Sequence, residues 1–420
     1  MAQTLAEKII AKAAGVDHVT PGEIVTCQVD LAMMHDSAGP RQAGKNLDKL
    51  GVPVWDLNKL VVITDHYIND DNVDHQGIQA HAQDWVKSHD IKHFIKEQGI
   101  CHIVLPEGGH VKPGMFIVGG DSHSVTGGAF GTFMVGIGAT EMTGVLATGE
   151  IWVRVPETVK IDVTGTLQPG VAAKDVILKL CGDNGIMGFN YQALEYGGTA
   201  IRALSVEERM TLANMAAELG AKAGYCEPDE KTKAALEGWG ASDIDIKTWR
   251  SDADATYAKT VTIDGAALTP YVAAPSSPEN TAPIGDHAGT KLDQAYLGAC
   301  TGAKLDDLRM AAKVLKGRKI QSGFKFMISP SSLTMAAEAR ADGTLQIIED
   351  AGGVILPMGC SGCIGIGPSR LEENAVGISS TNRNFVGRAG PKSSKLFLAS
   401  PYTVAASAIK GAITDPREFL

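Results

Sequence analysis

Four motifs with reactive side chains each follow a short apolar run, and this repetition restricts the possible fold more than any other feature of the chain. Asp65-His66 follows LVVIT, Asp121-Ser122-His123 follows MFIVGG, Cys300 follows AYLGA, and Cys360 follows GVILPMG. Short apolar runs that alternate with helical patterns predict an α/β fold with mainly parallel sheets. Because ligands bind beyond the carboxyl ends of parallel strands, the four motifs are candidates for binding or catalysis.

Individual elements follow from the same periodicities. Strands are predicted at Leu60–Thr64, Ile103–Leu105, Phe116–Gly119, Tyr296–Gly298 and Val354–Pro357. Apolar residues at helical spacing predict helices over Gln79–Lys96, Ser205–Lys222 and Leu305–Leu315. Two helix starts carry the pattern of a capping box, Thr4 with Glu7 and Ser205 with Glu208.

At 420 residues the chain is too long for one compact core, so two to four domains are expected. The segment between Val272 and Lys291 is rich in Pro, Ser and Gly and is interpreted as an interdomain linker. A second change of pattern falls near Pro156. We therefore predict three α/β/α domains, at residues 1–155, 156–275 and 276–420, with the His and Asp motifs in the first and Cys300 in the third.

Composition excludes several classes of protein. A net charge of −10 argues against nucleic-acid binding, which needs clustered Lys and Arg, but still permits an anionic small substrate held by a local pair of arginines. No stretch approaches the roughly 20 apolar residues of a membrane helix. The start MAQTLAEKIIAKAAG lacks the apolar core of a signal peptide. Seven cysteines without an export signal indicate a reducing compartment, so a cytoplasmic location is expected.

Cys300, Cys360 and Cys363 lie after predicted strands. Three thiolates without a fourth are typical of an iron–sulfur cluster that leaves one iron open for chemistry, whereas a structural zinc site usually takes four ligands. The Cys360–Cys363 pair alone also fits a redox dithiol or two ordinary buried cysteines, although a redox pair leaves Cys300 unexplained. The other four cysteines are interpreted as small buried apolar residues: Cys27, Cys101, Cys181 and Cys226.

Ten of the eleven histidines lie at or before residue 123. Groups that can transfer protons are thus concentrated at the front of the chain and the thiols at the back, so an active site between two domains is expected. Asp65-His66 fits a carboxylate–imidazole pair, or a capping Asp beside a solvated His. Asp121-Ser122-His123 precedes Gly127-Gly128, whose lack of side chains would let backbone approach a ligand closely. His102 fits a site residue or a hydrogen-bonded core histidine.

Two further pairs supply amides and charges. Asn214 and Glu218 are four residues apart in a predicted helix, so both project from one face, which is either buried or exposed. Arg383, after Asn382, and Arg388 offer guanidinium groups for carboxylates, or form ordinary surface ion pairs. Together these groups fit a hydro-lyase, which needs an electrophile for the leaving hydroxyl, groups that move protons, and cations for the substrate carboxylates.

The motifs, taken in order, resemble the aconitase superfamily and, within it, the large subunits of the 3-isopropylmalate dehydratases (isopropylmalate isomerases) and their relatives. The resemblance runs essentially end to end. It is carried by TDHYIND, GICHIVLPEGGHVKPG, GGDSHSVTGGAFGTF, ERMTLANMAAELGAKAG, LGACTGAKLDDLR, GCSGCIG and STNRNFVGRAG.

The resemblance implies a role for each motif residue. The implied ligands of one [4Fe–4S] cluster per subunit are Cys300, Cys360 and Cys363. The implied polar pairs around the substrate hydroxyl and the open iron are Asp65 with His66 and His123 with Glu218, supported by His102 and Asp121. The residues implied beside the cluster are Asn214 and Asn382. The residues implied to bind substrate are Ser122, Arg383 and Arg388, with the two arginines on its carboxylates.

The resemblance also implies a partner and a substrate class. In the family, a fourth, swivelling domain carries a serine base and a substrate-selective loop; because this chain ends before such a domain, a separate small subunit is expected. The expected substrate is a malate-like hydroxy dicarboxylate, with 3-isopropylmalate and a role in leucine biosynthesis first, and a dimethylmalate or citramalate type of acid or a homoaconitase substrate as alternatives.

Two motifs depart from the family pattern. Its usual Cys-Thr-Asn-Gly-Arg is here Cys300-Thr301-Gly302-Ala303-Lys304, and its common Cys-Gly-Pro-Cys is here Cys360-Ser361-Gly362-Cys363. The thiols are kept, so the changes bear on substrate and not on the cluster. Two functions of other classes stay possible: an RNA-binding iron sensor, which the acidic balance disfavours, and an electron-transfer subunit, for which we find no fourth cysteine ligand.

Overall fold

The computed structural model describes residues 2–68 and 72–420. The last two residues of the TDHYIND motif, Asn69 and Asp70, lie outside the described residues. The chain forms two compact units, each built from several segments. The first comprises Met1–Asp162, Phe189–Gly198 and Gly220–Thr262, and the second comprises Val163–Gly188, Thr199–Leu219 and Ile263–Leu420. The three-domain division at residues 1–155, 156–275 and 276–420 stays a prediction.

Strands are short and alternate with helices. The strands are β1 (Ile24–Gln28), β2 (Leu31–His35), β3 (Leu60–Thr64), β4 (His93–Lys96), β5 (Phe116–Gly119), β6 (Phe133–Gly136), β7 (Glu150–Arg154), β8 (Thr158–Thr164), β9 (Ala193–Gly197), β10 (Ala223–Cys226), β11 (Lys259–Asp264), β12 (Tyr271–Ala273), β13 (Thr281–Pro283), β14 (Gln294–Leu297), β15 (Lys325–Ile328), β16 (Val354–Ile355), β17 (Val376–Ser379) and β18 (Lys395–Ala399).

The α-helices are α1 (Leu5–Ala14), α2 (Lys45–Leu50), α3 (Val73–Ser88), α4 (Cys101–Glu107), α5 (Ala139–Thr148), α6 (Ala173–Asn184), α7 (Thr199–Ala203), α8 (Val206–Met215), α9 (Glu230–Gly238), α10 (Leu305–Leu315), α11 (Leu333–Ala341), α12 (Thr344–Ala351) and α13 (Pro401–Lys410). A π-helix spans Gly39–Gly44, and 3₁₀ helices span Ser122–Phe130, Ile284–Asp286, Ser361–Ile364 and Pro416–Phe419. Among the helices in the described residues, none has the length and apolar character that a membrane crossing requires.

The main sheet of the first unit is parallel throughout, in the order β4-β3-β2-β5-β6. Its central strands β2, β3 and β5 are fully buried, as expected for parallel strands covered on both faces. The predicted strands at β3 and β5 are confirmed to the residue. Because β3, β2 and β5 are neighbours and run the same way, the residues that follow them lie together at one edge of the sheet.

Two further sheets are smaller. β1 and β7 form an antiparallel ribbon. The other sheet has the order β10-β9-β8-β11, in which β8, β9 and β10 are parallel. The predicted capping box at the start of α1 is confirmed: Thr4 Oγ1 accepts from the Glu7 amide and Glu7 Oε2 accepts from the Thr4 amide.

The sheet of the second unit has the order β13-β12-β18-β17-β14-β15-β16 and is parallel from β18 to β16. β12 and β13 add to its edge in antiparallel fashion. The prediction of an interdomain linker between Val272 and Lys291 is therefore wrong, because part of that segment pairs with the sheet. Its proline content fits this place, since an edge strand tolerates Pro where a central strand does not.

Three other expectations were wrong at the level of single elements. Ile103–Leu105 lies in helix α4 and not in a strand, because a short buried apolar run has no periodicity that distinguishes the two. The predicted helix Gln79–Lys96 is two elements, since α3 ends at Ser88 and β4 follows. The predicted helix Ser205–Lys222 stops at Met215, and the chain continues in turns.

Candidate active site

The first unit gathers charged side chains at the edge where β2, β3 and β5 end. One ligand-type atom from each of four residues lies within 4.8 Å of the others: His35, Asp36, Asp65 and His66. All four residues are buried. A buried group of two acids and two bases is costly unless the charges pair, so the hydrogen bonds decide what this group can do.

Asp65 and His66 form the tightest pair. His66 Nδ1 lies 2.7 Å from Asp65 Oδ1, and Asp65 Oδ2 accepts from the Cys101 amide at the start of α4 at 2.8 Å. Burial alone would lower the pKa of His66, but the adjacent Asp65 carboxylate, with Asp36 beyond it, outweighs burial and raises that pKa to about 10. Burial likewise opposes ionisation of Asp65, yet His66 holds the pKa of Asp65 below its ordinary value. The pair is therefore ionic at neutral pH.

Asp36 holds the backbone of this pair through hydrogen bonds. Its carboxylate accepts from the backbone amides of His66 at 3.2 Å and Tyr67 at 3.1 Å, and from the Gln79 side-chain amide. Its Oδ1 lies 3.6 Å from His66 Nδ1. Burial, followed by repulsion from Asp65, raises the pKa of Asp36. Asp36 thus fixes the backbone that presents the imidazole and adds a second carboxylate beside it.

His35 is held as a neutral imidazole. Its Nδ1 accepts from the Ser37 amide at 3.2 Å, so Nε2 carries the proton and donates to the Gly120 carbonyl at 3.0 Å. Its ring stacks on that of His66 with centroids 4.3 Å apart. Burial and the neighbouring His66 lower the pKa of His35. Sequence reasoning missed His35 and Asp36, although the apolar run LAMM followed by His-Asp has the pattern of the other motifs.

A second carboxylate–imidazole group follows β5. His102 Nε2 lies 2.9 Å from Asp121 Oδ1, which also accepts from the His123 amide at 2.7 Å. His123 Nδ1 is 3.5 Å from the same oxygen. Burial would raise the pKa of Asp121, but the two histidines hold it well below its ordinary value. Asp121 therefore orients two imidazoles, while Ser122 is exposed at the start of the 3₁₀ helix.

Gly128 in that 3₁₀ helix serves packing. A Cβ added at Gly128 would lie 1.9 Å from the carbonyl oxygen of Gly224 in β10. The close backbone approach predicted at Gly127-Gly128 is thus made to a strand of the same unit, and no ligand is needed to explain Gly128.

In the second unit, Cys300 and Cys363 share one amide neighbour. Asn382, after β17, donates to Cys300 Sγ at 3.6 Å and accepts from the Cys363 thiol at 3.3 Å. Asn214, at the end of α8, donates to Cys300 Sγ at 3.0 Å and accepts from Asn382 at 3.0 Å. Cys300 and Cys363 are buried, and Cys360 is partly exposed. The two asparagines therefore link the loop after β14 to the Cys360–Cys363 segment.

These residues fit a thiolate-bound iron–sulfur group. Amide hydrogens point at one sulfur, and Arg388 Nη2 lies 3.5 Å from the sulfur of Cys363. Hydrogen bonds and a cation at sulfur favour the thiolate form that such a group requires and tune its potential. The remaining cysteines are buried as predicted, and burial raises the pKa of the Cys27 thiol to about 12.

Glu218 and Arg383 form an ion pair in this unit. Arg383 Nε lies 2.7 Å from Glu218 Oε1, and Glu218 is buried. The expectation that Asn214 and Glu218 share one helix face is wrong, because α8 ends at Met215 and Glu218 stands in the turns that follow. The implied pairing of His123 with Glu218 joins residues of different units and stays a prediction.

The departures around Cys300 have a structural basis. A Cβ added at Gly302 would lie 2.0 Å from Ser380 Oγ, so the hydroxymethyl group of Ser380 occupies the space of a side chain there. Lys304 is fully buried, and its ammonium donates to Asp307 Oδ2 at 2.6 Å and to Thr211 Oγ1 at 3.0 Å. Lys304 is thus committed to a buried ion pair within this unit.

Comparison with known proteins shows the family to which the chain is similar. The model of the aconitase family (aconitate hydratase) matches residues 7–411. The chain is 43% identical to 3-isopropylmalate dehydratase large subunit 1 of Methanopyrus kandleri, covering 100% of both chains, and 43% identical to its namesake in Pyrococcus furiosus, covering 99% of this chain and 98% of that one. It is 41% identical to the methanogen homoaconitase large subunit of Methanocaldococcus jannaschii, covering 98% and 99%.

The fold also has a solved counterpart. The crystal structure of Thermococcus kodakaraensis aconitase X (holo-form) superposes with a TM-score of 0.51 at 15% identity, covering 91% of this chain and 94% of that one. At this identity the likeness concerns the fold alone. With a family model spanning nearly the whole sequence and relatives above 40% identity over full length, the chain belongs to the aconitase family.

Proposed function

We propose that this chain is the cluster-bearing large subunit of a hydro-lyase that interconverts 3-isopropylmalate and 2-isopropylmalate by dehydration and rehydration. The observation that carries the proposal is the end-to-end similarity to 3-isopropylmalate dehydratase large subunits at 38–43% identity. The chain is a hydro-lyase of the aconitase type, and leucine biosynthesis follows as its role.

Membership of the aconitase family implies an iron–sulfur cluster, and we propose a [4Fe–4S] cluster, one per subunit, on Cys300, Cys360 and Cys363. When bound, such a group supplies an open iron that acts as a Lewis acid toward the leaving hydroxyl. Asn214 and Asn382 donate to the Cys300 sulfur, which supports the thiolate form. Arg388 adds a positive charge beside Cys363.

His66 is the proposed proton donor to the departing hydroxyl. A general acid must hold its proton at working pH, and the pKa of His66, raised to about 10 by Asp65, meets that condition. Asp65 keeps the imidazole charged and oriented. Asp121 orients His102 and His123, whose proposed role is to hold substrate or water through hydrogen bonds.

Arg383 and Arg388 are the proposed partners of the substrate carboxylates, with Ser122 as an additional hydroxyl donor. Guanidinium groups match carboxylates in a forked, two-bond geometry. Glu218 accepts a hydrogen bond from Arg383 Nε at 2.7 Å, which fixes the orientation of the guanidinium. Glu218 is thus proposed to orient Arg383, as well as to take part in proton handling.

The names of the relatives imply a small-subunit partner. We propose that this partner is a swivelling domain that carries the serine base, which removes the carbon-bound proton, and a loop that selects the substrate side chain. We also propose that the enzyme works in the cytoplasm, which is supported by seven cysteines of which none in residues 2–68 and 72–420 forms a disulfide.

A homoaconitase is the second candidate. It is favoured by the 41% identity to the methanogen homoaconitase large subunit, nearly as high as that to the isopropylmalate enzymes. The shared chemistry is the same dehydration of a hydroxy acid, and the difference lies in the substrate side chain.

The test is turnover by the two-subunit enzyme, reconstituted anaerobically with iron and sulfide. We expect the ultraviolet absorbance of the unsaturated intermediate to rise with 3-isopropylmalate. Faster turnover of homocitrate or of a dimethylmalate would replace the substrate assignment. No turnover of any of these acids by a cluster-loaded enzyme would contradict the proposed function.

A further inference from the structure

Lys174 is a buried lysine in an unfavourable place. It is 1% exposed and lies in the first turn of α6. The N-terminus of a helix carries partial positive charge, so a cation there is repelled, and burial adds a desolvation cost. Both the helix dipole and burial therefore disfavour a lysine at this position. Unfavourable residues of this kind are expected at functional sites.

Three acceptors compensate for that cost. The Lys174 ammonium donates to the carbonyl of Thr381 at 2.7 Å, to the carbonyl of Ser380 at 2.9 Å and to Thr301 Oγ1 at 3.1 Å. An ammonium has three hydrogens, so each has one acceptor. Burial, and then the like charge of Lys304, lower the pKa of Lys174 to about 8, which leaves the group mainly protonated at neutral pH.

The acceptors belong to the two loops that carry Cys300 and Asn382. Thr301 follows Cys300 after β14, and Ser380 and Thr381 precede Asn382 after β17. The loops also bond to each other, since Thr301 Oγ1 donates to the Ser380 carbonyl at 3.0 Å. Lys174 therefore holds both loops from one side, at the point where the Asn382 amide meets the Cys300 sulfur.

Most of the charged groups around Lys174 already have a partner of opposite charge. The charged groups that act on Lys174 are Lys304, Glu218, Asp307 and the Cys300 thiol. Lys304 is itself paired with Asp307, and Glu218 is paired with Arg383. A thiolate at Cys300 would add negative charge near Lys174, and the ammonium of Lys174 compensates that charge.

We propose that Lys174 is a positioning residue for the iron–sulfur cluster: it sets the spacing of the Cys300 and Asn382 loops and supplies a fixed positive charge near the Cys300 sulfur. This inference rests on the proposed function, because it requires that the three cysteines hold the cluster. It assigns to α6 a role that the sequence motifs did not suggest.

The test compares Lys174→Met and Lys174→Arg with a control in the same helix, Lys179→Met. The Lys179 side chain is 28% exposed and pairs with Asp183 at 2.9 Å. Each full-length chain is loaded anaerobically at pH 7, and iron and sulfide content, cluster loss to a chelator and the cluster's midpoint potential are measured. We expect Lys174→Met to lose its cluster about ten- to a hundredfold faster than wild type, a range typical of residues behind metal ligands.

The potential separates charge from structure. Removing a nearby positive charge disfavours the more negative, reduced cluster, so the midpoint should fall in Lys174→Met and stay near the wild-type value in Lys174→Arg and Lys179→Met. Wild-type retention and potential in Lys174→Met would overturn the inference. A wild-type chain that binds no cluster would instead defeat the proposed function itself.

A second variant decides the case if Lys174→Met does not fold. Thr301→Val removes one acceptor and keeps the charge, so we expect faster cluster loss with an unchanged potential. Circular dichroism of the cluster-free chain checks that the fold is intact. Cluster loss at the wild-type rate in Thr301→Val would overturn the inference.

Discussion

At the scale of single residues, the two histidines of the first unit show how environment assigns protonation. His35 and His66 stack on each other, yet one is neutral and the other charged. The Ser37 amide occupies Nδ1 of His35, whereas a carboxylate oxygen lies 2.7 Å from Nδ1 of His66. The hydrogen-bond partner of Nδ1 thus makes His35 a neutral donor and His66 a charged acid.

The pH dependence of activity should report the Asp65–His66 pair. In wild type, His66 keeps its proton until the pH approaches its pKa of about 10, so it causes no loss of activity between pH 6 and 9. Asp65→Asn removes the charge that raises this pKa. The kcat/KM of the variant should therefore fall as pH rises above neutral, and at pH 8 it should be about 10²-fold or more below that of wild type. The pH–rate profile of the reconstituted enzyme measures this.

A surface pair provides the control for that profile. Asp48 lies 2.8 Å from His89 Nε2, and its side chain is 46% exposed. Asp48→Asn should leave the profile unchanged. If Asp65→Asn showed the wild-type profile, His66 could not be the acid whose protonation the pair maintains.

At the scale of elements, the loop between β14 and α10 depends on Gly302. Gly302→Ala would place a methyl group 2.0 Å from Ser380 Oγ, so we expect overpacking to lower the free energy of unfolding by about 1–3 kcal/mol. Gly144 in α5 has no atom within 4 Å of an added Cβ, so Gly144→Ala should be neutral or stabilising by up to about 1 kcal/mol. Urea unfolding measures both, and equal effects would contradict the packing argument.

A residue in the first turn of α8, Glu208, caps the start of helix α6. The Glu208 carboxylate accepts from the Ala173 amide at the start of α6 at 3.3 Å, while Ser205 caps α8 itself. The predicted capping box is thus only half formed, since Glu208 serves a different helix. Burial raises the pKa of Glu208 to about 7, although the Ala173 amide opposes this.

That raised pKa predicts a loss of stability with pH. Because the pKa in the fold exceeds its value of about 4.5 in the unfolded chain, the contribution of Glu208 is fully present below pH 4.5 and is lost as pH rises through 7. Glu208→Gln keeps the acceptor and removes the charge, so the cluster-free variant should lose less stability between pH 5 and 8, by up to about 3 kcal/mol. Urea unfolding at both pH values measures this, and Glu237→Gln, at an exposed position, is the control. The same change in the free energy of unfolding between pH 5 and 8 in wild type and both variants would contradict the prediction.

Sequence reasoning succeeded where one local signal decides the outcome. β3, β5 and α10 were predicted to the residue, because a continuous apolar run or a regular helical stripe leaves one interpretation. It failed for α4, whose buried run fits helix or strand, and for β13, which forms only because a sheet edge is available. The Arg383–Glu218 bond spans 165 residues, and no pattern in a single sequence reveals such a contact.

At the scale of the whole molecule, the two groups of reactive residues belong to separate compact units. The histidine–carboxylate groups lie in the first unit, and the cysteines and asparagines lie in the second. The uneven spread of histidines and cysteines along the chain pointed to this separation. What the sequence did not reveal is that each unit is assembled from several segments, because that depends on which strands pair.

Cluster removal should therefore affect the two units unequally. A cluster bound by thiolates stabilises the folded structure that binds it, because the unfolded chain does not bind the cluster. On removing iron with a chelator, we expect hydrogen exchange to increase in the loops that follow β14, β16 and β17, with smaller changes in β2, β3 and β5. Exchange monitored by mass spectrometry on loaded and stripped chains measures this, and Cys300→Ser should match the stripped wild type. Equal increases in both sets of segments would mean that the cysteines of the second unit do not hold the cluster by themselves.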